Sequence, residues 1–238
     1  MVEISGKYKI GIRRFGSINW IGAWTLYKKE VLRFLIVWAQ TLFSPLITSL
    51  LFLMVLSLAI GDERGDVLGV SFIIFLAPGL IAMQIIQQAF SHSSSSFMIG
   101  KIQGNIVDLL YAPLSASEVT LAVTLAAVTR SLFISIISIV IFYFFIDLHI
   151  KYYSTLIIFI FLSAFSLGAL GIIAGLWAEK FDHMATVTNF IIIPLSFLSG
   201  TFYSINKLPE ILQIVSKANP FFYMIDGFRY SFIGKSDG

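Results

Sequence analysis

Five long stretches of the chain contain almost no charged residues. They cover approximately residues 34–60, 67–90, 119–146, 152–177 and 186–203. A helix needs about 20 mostly apolar residues to cross about 30 Å of hydrocarbon, and each stretch approaches or exceeds that length. The pattern therefore predicts an all-α, polytopic transmembrane helix bundle with five visible spans, forming one domain over residues 1–238.

Two local signals indicate where these helices end or bend. Residues 91–96 are five serines and one histidine, and we expect the second span to end there because serine hydroxyls compete for backbone hydrogen bonds. Pro194 lies near the middle of the fifth span, where it removes one backbone hydrogen bond and should kink the helix.

Residues 17–33, ahead of the first span, have an amphipathic pattern. Aromatic and apolar side chains recur at helical spacing, at Trp20, Trp24, Tyr27 and Val31. Gly22, Lys29 and Arg33 take the opposite side of the helix. The pattern predicts an interfacial helix whose rings lie at headgroup depth and whose basic residues face anionic lipid. A helix packed against the rest of the protein is the other interpretation.

A second amphipathic element lies within residues 206–233. Its apolar positions follow the spacing i, i+3, i+4 and i+7, at Leu208, Ile211, Leu212 and Val215. The element is too short to span a bilayer, so we expect it to lie on, or dip into, the outer leaflet.

The composition excludes a soluble enzyme and a disordered chain. Hydrophobic residues make up 58% of the sequence, against about 45–50% in soluble domains, and the mean hydropathy is +0.90. The chain has no cysteine, which excludes disulfides and thiolate metal sites.

The basic residues are informative through their distribution. Seven precede the first span: Lys7, Lys9, Arg13, Arg14, Lys28, Lys29 and Arg33. Positively charged flanks stay in the cytoplasm, so the N-terminus is predicted to be cytoplasmic. We assign the net charge of +3 to membrane topology and expect no nucleic-acid partner.

No pattern of residues indicates catalysis, a metal site or a nucleotide site on this chain. His92, His149 and His183 are far apart in sequence and lack a metal-binding spacing. The Gly-Lys-Ser sequence at 234–236 resembles the end of a phosphate-binding loop, but Arg229 occupies the position where that motif needs glycine.

Arg130 is the only charged residue well inside any of the five stretches, about 11 residues or 16 Å from the start of the third. An intramembrane charge indicates function. The alternatives are that the third span starts later along the chain, or that the guanidinium reaches the interface or caps carbonyls of a neighbouring helix.

The fourth span carries small residues at three- and four-residue spacing, at Ala164, Gly168, Gly171 and Gly175. Such a stripe lets a second helix approach closely. The pattern leaves open whether that helix belongs to the same chain or to a second copy.

Residues 97–114, between the second and third spans, form two short amphipathic pieces interrupted by glycines. This is more structure than a connection needs. Ile106, Leu109 and Leu110 could face a partner protein, or they could pack beneath the bundle.

Residues 104–113, Gly-Asn-Ile-Val-Asp-Leu-Leu-Tyr-Ala-Pro, resemble a cytoplasmic segment of type-2 ABC transporter permeases. The stretches 194–203, 219–223 and 227–230 are similar to that family's fifth span and to the re-entrant extracellular region that follows it. The resemblance covers nearly the whole chain in the family's order. It implies a re-entrant region over 206–233 and a sixth span, which we expect beyond Gly238.

The resemblance also implies partners and contact sites. It implies a permease that pairs with a second copy and with two ATP-binding cassette ATPase subunits in the cytoplasmic (inner) membrane. ATP and Mg²⁺ would then bind the ATPase, and this chain would hold no cofactor. The family's coupling helix maps onto Lys101, Gln103, Asn105, Asp108, Leu109, Leu110 and Tyr111. A second cytoplasmic contact maps onto Glu179, Lys180 and Asp182, with Phe181 and His183.

The leading hypothesis is therefore the permease subunit of an ABC exporter with a hydrophobic or amphiphilic substrate. A secondary transporter is the first alternative, although no Asp or Glu accompanies Arg130 in any span to couple ions. A membrane scaffold is the second alternative.

Overall fold

The computed structural model describes residues 18–238, except for the side chains of residues 60–64. Within that range ten α-helices follow one another: α1 Trp20–Ile36, α2 Ser44–Arg64, α3 Phe72–Ile102, α4 Ile106–Tyr111, α5 Ala116–Phe145, α6 Tyr153–Trp177, α7 Phe181–Val187, α8 Ile193–Leu198, α9 Glu210–Ala218 and α10 Pro220–Ile233. A π-helical turn at Ala39–Phe43 precedes α2, another at Thr188–Ile192 joins α7 to α8, and a 3-10 turn at Ile205–Lys207 precedes α9.

Five helical segments of the described chain are long and apolar enough to cross a bilayer. They are Ala39–Ala59, Phe72–Ile102, Ala116–Phe145, Tyr153–Trp177 and Phe181–Leu198. The predicted all-α bundle with five visible spans is confirmed.

Helix α3 lies at the centre of the bundle. About 72% of its most apolar window is buried inside the chain, against 44% for α5 and for α6. It packs against both of these helices, and α10 covers the half that begins at Phe72. Most of the remaining helices contact α3 or one of these two neighbours, whereas α9 packs against α10.

The glycine stripe of α6 faces α3 of the same chain. A Cβ atom on Gly171 would lie 2.5 Å from the carbonyl oxygen of Phe90, and one on Gly175 would lie 2.7 Å from that of Ser94. Gly168 faces Ala127 of α5 and Ser93 of α3, and Ala164 is fully buried. The stripe thus lets two backbones meet within one chain, which answers the question that the spacing left open.

The predicted helix end at residues 91–96 is wrong, because α3 continues to Ile102, twelve residues beyond Phe90. The serine hydroxyls bond back to the helix itself: Ser94 Oγ donates to Ser91 O at 3.3 Å, and Ser95 Oγ donates to His92 O at 3.1 Å. Close packing against α6 then outweighs the weak local preference for a helix end. At its other end α3 begins at Phe72 rather than at Val67.

The third predicted span is extended in the same way, because α5 begins at Ala116. Ser115 and Glu118 form a capping box, in which Ser115 N donates to Glu118 Oε2 at 2.7 Å and Glu118 N donates to Ser115 Oγ at 3.4 Å. The charge of Glu118 placed the predicted start at Val119, whereas this carboxylate stabilises the first turn of the helix.

Pro194 lies where the hydrogen-bond pattern of the fifth span changes from π-helical to α-helical, and the kink predicted there stays a prediction. Pro194 stands at the start of α8, directly after the π-helical turn Thr188–Ile192. A proline cannot donate to the preceding turn, and the ring displaces the carbonyl four residues earlier, so the hydrogen-bond pattern changes just ahead of it.

Arg229 of α10 is completely buried and fastens α10 to the rest of the bundle. Its Nη2 donates to Gly200 O at 2.7 Å, its Nε donates to Phe75 O at 3.3 Å, and its guanidinium lies 3.9 Å from the centre of the Phe75 ring. Burial lowers the pKa of Arg229 to about 10, while Asp226 and Asp237 raise it. The guanidinium therefore stays protonated at neutral pH, and its charge is partly balanced by these two carboxylates.

Replacing Gly171 with alanine is expected to destabilise the bundle, because the new methyl group would overlap the backbone of α3. Overpacking of this kind costs about 1–3 kcal/mol, so the melting temperature of the purified permease in detergent should fall by several degrees. The matched control is Gly100→Ala, where the nearest neighbouring atom would lie 3.7 Å away. Equal melting temperatures for the two variants would show that the α3–α6 contact is not as close as described.

Candidate functional site

The two predicted contact regions meet at one end of the bundle, called here the α4 end: the last turn of α3, α4, and residues 179–183. Lys101 Nζ, at the end of α3, donates to the carbonyl oxygens of Ala178, at 2.9 Å, and Leu176, so a cation caps the last turn of α6. These two hydrogen bonds hold the end of α3, from which the chain leads to α4, next to residues 179–183.

Helix α4 has an inner and an outer apolar face. Ile106 and Leu109 pack against a buried cluster that includes Leu26 of α1 and Phe97 of α3. Leu110 points away from the protein and is 76% exposed. The three side chains that the sequence offered to a partner are therefore divided, since two lie beneath the bundle and one faces outward.

Tyr111 and Val107 extend this outer face, and both are exposed. The predicted polar contact residues Gln103, Asn105, Asp108, Glu179, Lys180 and Asp182 are also exposed. Gly104 has φ +76°, a left-handed conformation that glycine adopts without strain, and it turns the chain from α3 into α4. The result is a small projecting helix with an apolar tip and a polar surround.

Helix α1 holds α4 in place. Asn19 Nδ2, at the N-terminus of α1, donates to Pro113 O at 3.2 Å, and Asn19 N donates to the Glu118 carboxylate of α5. Gly22 passes so close to Leu114 that a Cβ atom would lie 2.8 Å from its Cδ2. The loop after α4 is thus bonded both to α1 and to the first turn of α5.

The packing interpretation of the N-terminal amphipathic helix therefore agrees with the structure, since α1 lies against α5. Tyr27 Oη and Thr129 Oγ1 share a hydrogen bond of 2.8 Å. Trp20 and Trp24 remain exposed, as the interfacial interpretation expects.

Arg33 was predicted to face lipid, and that prediction is wrong. Its Nε pairs with Glu30 at 3.0 Å, its Nη2 donates to His92 O at 2.8 Å, and its Nη1 donates to Ser95 Oγ at 3.2 Å. Glu30 is buried, 3.8 Å from the imidazole of His92. The three-residue spacing of Glu30 and Arg33 was the available signal for this pair, but the amphipathic pattern outweighed it.

Arg130 also faces the interior rather than lipid. Its Nη2 donates to Gln88 Oε1 of α3, and the residue is buried between α3 and α5. One turn earlier in α3, Gln84 Oε1 accepts a hydrogen bond of 3.2 Å from Ser138 Oγ of α5. Polar side chains therefore join α3 to α5 through the middle of the bundle.

A groove of about 440 Å³ lies between α3 and the start of the fifth span. One wall carries the hydroxyls of Ser91, Ser94 and Ser95, and the other carries Thr188 and Asn189. Met98, Phe181 and Met184 add apolar surface. The groove combines hydroxyl and apolar contacts, as a site for an amphiphilic molecule requires.

Comparison with known proteins agrees with the fold. The model of the ABC-2 type transporter family matches residues 22–233. The inner membrane transport permease YadH of Escherichia coli is 36% identical over 220 residues, which cover 92% of this chain and 86% of that protein. Nodulation protein J of Rhizobium leguminosarum bv. trifolii is 26% identical, over 92% of this chain and 83% of that protein.

The family match and the first relative confirm the resemblance found in residues 104–113 and the predicted location in the inner membrane, with several helices crossing it. They also account for the lack of a nucleotide motif in the sequence, since ATP hydrolysis in such transporters belongs to a separate cassette subunit. The chain belongs to the ABC-2 type transporter family and is the membrane-spanning permease subunit of an ABC transporter.

Proposed function

We propose that this permease, as a pair of identical chains with a cytoplasmic N-terminus, exports an amphiphilic substrate when ATPase subunits bind its α4 end. ATP and Mg²⁺ bind those subunits, and this chain holds no cofactor of its own. The observation that carries the proposal is the division of α4 into an outer face for a partner and an inner face packed on α1, α3 and α5.

The two faces of α4 explain how motion of an ATPase would reach the spans. Leu110 and Tyr111 offer an apolar tip to a groove on the partner. Leu109, on the other side of the same short helix, contacts the cluster that joins α1 to α3 and α5. Because packed side chains move together, a displacement of α4 displaces these helices.

The variant Leu110→Asp is expected to release the ATPase without disturbing the fold, because a carboxylate would be buried at the contact but is exposed in the free chain. Recovery of ATPase activity with the tagged permease should fall by at least about tenfold, at an unchanged melting temperature. Leu109→Asp should instead lower the melting temperature, since that side chain faces inward.

Ile211→Asp is the matched control, because Ile211 of α9 is also 76% exposed but lies outside the α4 end. Full recovery of the ATPase with Leu110→Asp, or equal loss with Ile211→Asp, would contradict docking on α4.

The proposed pairing of two permeases rests on the two least buried spans. Only 17% of the most apolar window is buried within the chain for Ala39–Ala59 and for Phe181–Leu198, against 44–72% for the other three. Leu58 and Phe190 are highly exposed members of these segments. A second copy that covers both segments would bury the two least buried spans among the described residues.

The absence of native cysteine makes this pairing directly testable. We expect Leu58→Cys or Phe190→Cys to give cross-linked dimers in membranes treated with a bis-maleimide. Ile157→Cys, on the exposed side of α6, should stay monomeric. Strong cross-linking through Ile157 with none through the other two positions would place the interface elsewhere.

The proposed amphiphilic substrate rests on the groove between α3 and the fifth span. We expect decyl glucoside, but not glucose, to stimulate ATP hydrolysis by the reconstituted complex, and ATP to drive a fluorescent alkyl glycoside into inverted vesicles. Ser91→Leu should reduce both effects several-fold, because it removes a hydroxyl from the groove.

Ser154→Leu is the control for that experiment, since Ser154 is an exposed hydroxyl in the first turn of α6, away from the groove. Stimulation by glucose alone, or transport only out of inverted vesicles, would overturn the proposed cargo class or the direction.

A further inference from the structure

A second groove, of about 470 Å³, runs along the outer side of α5. Trp20 and Trp24 of α1 form one wall, Leu121 and Leu125 of α5 form the floor, and Phe161 of α6 lies near the far end. The groove is separate from the α4 tip and from the serine-lined groove. The docking and substrate proposals above do not use its lining.

The lining changes in polarity along its length. The hydroxyls of Ser115 and Ser117 stand at the start of α5, whereas Leu132 and Phe161 line the other end. From Ser117 to Leu132, fifteen residues further along α5, the helix rises about 22 Å, which exceeds the thickness of about 15 Å of one hydrocarbon leaflet. Tyr27 and Thr129 also line the groove, but their hydroxyls are hydrogen-bonded to each other. The groove is therefore polar at one end and mainly apolar along the rest of its length.

The charges at the groove do not favour an ionic ligand along its floor. Glu118 is the one acidic residue among the lining side chains, and its carboxylate accepts hydrogen bonds from Asn19 N and Ser115 N. The two indole rings are exposed at the polar half, and tryptophan favours the headgroup level of a bilayer. The arrangement matches a lipid, with its head beside the serines and its tail beside Leu125 and Leu132.

Other occupants fit this groove less well. Residues 1–17 of the chain carry Glu3, Lys7, Lys9, Arg13 and Arg14, so no apolar run in that segment is long enough to fill it. A transported molecule needs a route across the whole membrane, whereas the lining of this groove extends along α5 only to Leu132, about halfway.

We propose that the groove between α1 and α5 binds one acyl chain of a membrane phospholipid and holds the lipid as a fixed part of the permease. Because α5 is a membrane span, the mouth of the groove faces lipid tails rather than water. An empty apolar groove there would forfeit dispersion contacts that a tail restores. The bound lipid fills the space between α1 and α5 and so supports the helix that holds α4.

Native mass spectrometry of the full chain in mild detergent tests this inference. After delipidation and titration with dioleoyl phosphatidylglycerol, we expect one lipid per chain to be retained far more strongly than any further lipid. Leu121→Phe combined with Leu125→Phe fills the groove and should weaken that retention at least about tenfold. Ile136→Phe combined with Val140→Phe adds the same rings at exposed positions of α5 outside the groove and should leave it unchanged.

A second measurement does not depend on the filled variant. The chain has four tryptophans, and Trp38→Phe with Trp177→Phe leaves only the two in the groove. A phospholipid with brominated acyl chains should quench their fluorescence and saturate at one lipid per chain.

Three results would overturn the proposal: equal lipid retention by the filled and control variants, quenching that rises without saturation, or retention that appears only after deletion of residues 2–16. The third would assign the groove to the N-terminal segment. None of these results bears on the docking of an ATPase, which the Leu110→Asp variant tests separately.

Discussion

The close approach of α3 and α6 is the contact on which the rest of the bundle depends. Inside a membrane, lipid tails are as apolar as leucine, so helices associate through van der Waals contact rather than through expulsion of water. Gly171 and Gly175 remove the side chains that would keep the two backbones apart. Helix α3 can then continue as a helix through its serines, because α6 packs against Ser93 and Ser94.

The extension of α3 to Ile102 determines where the candidate docking surface lies. If α3 ended at residue 91, nothing would carry Lys101 to the end of α6. The long helix instead brings Lys101 to the carbonyls of Leu176 and Ala178 and delivers the chain to α4 beside α1. The proposed docking surface for an ATPase is thus built next to the most buried of the five candidate spans in the described chain.

The sequence predicted the features that follow from local pattern. Apolar length located all five spans, the spacing of glycines located the packing stripe of α6, and the motif at residues 104–113 located α4. It did not predict which face of α4 turns inward, because Leu109 and Leu110 are equally apolar and adjacent. It also misplaced the end of α3, since serine is a weak helix breaker whose preference is overridden by burial against another helix.

Charged residues were the hardest to place, because their position depends on partners distant in sequence. Arg33 reaches α3 some sixty residues away, and Arg229 reaches Phe75 more than 150 residues away. When charged residues near a span are used to predict topology, both arginines are assigned to the aqueous side of the membrane. In the structure each guanidinium donates to backbone carbonyls and fastens one helix to α3, so an arginine outside a predicted span can still belong to the core of a membrane protein.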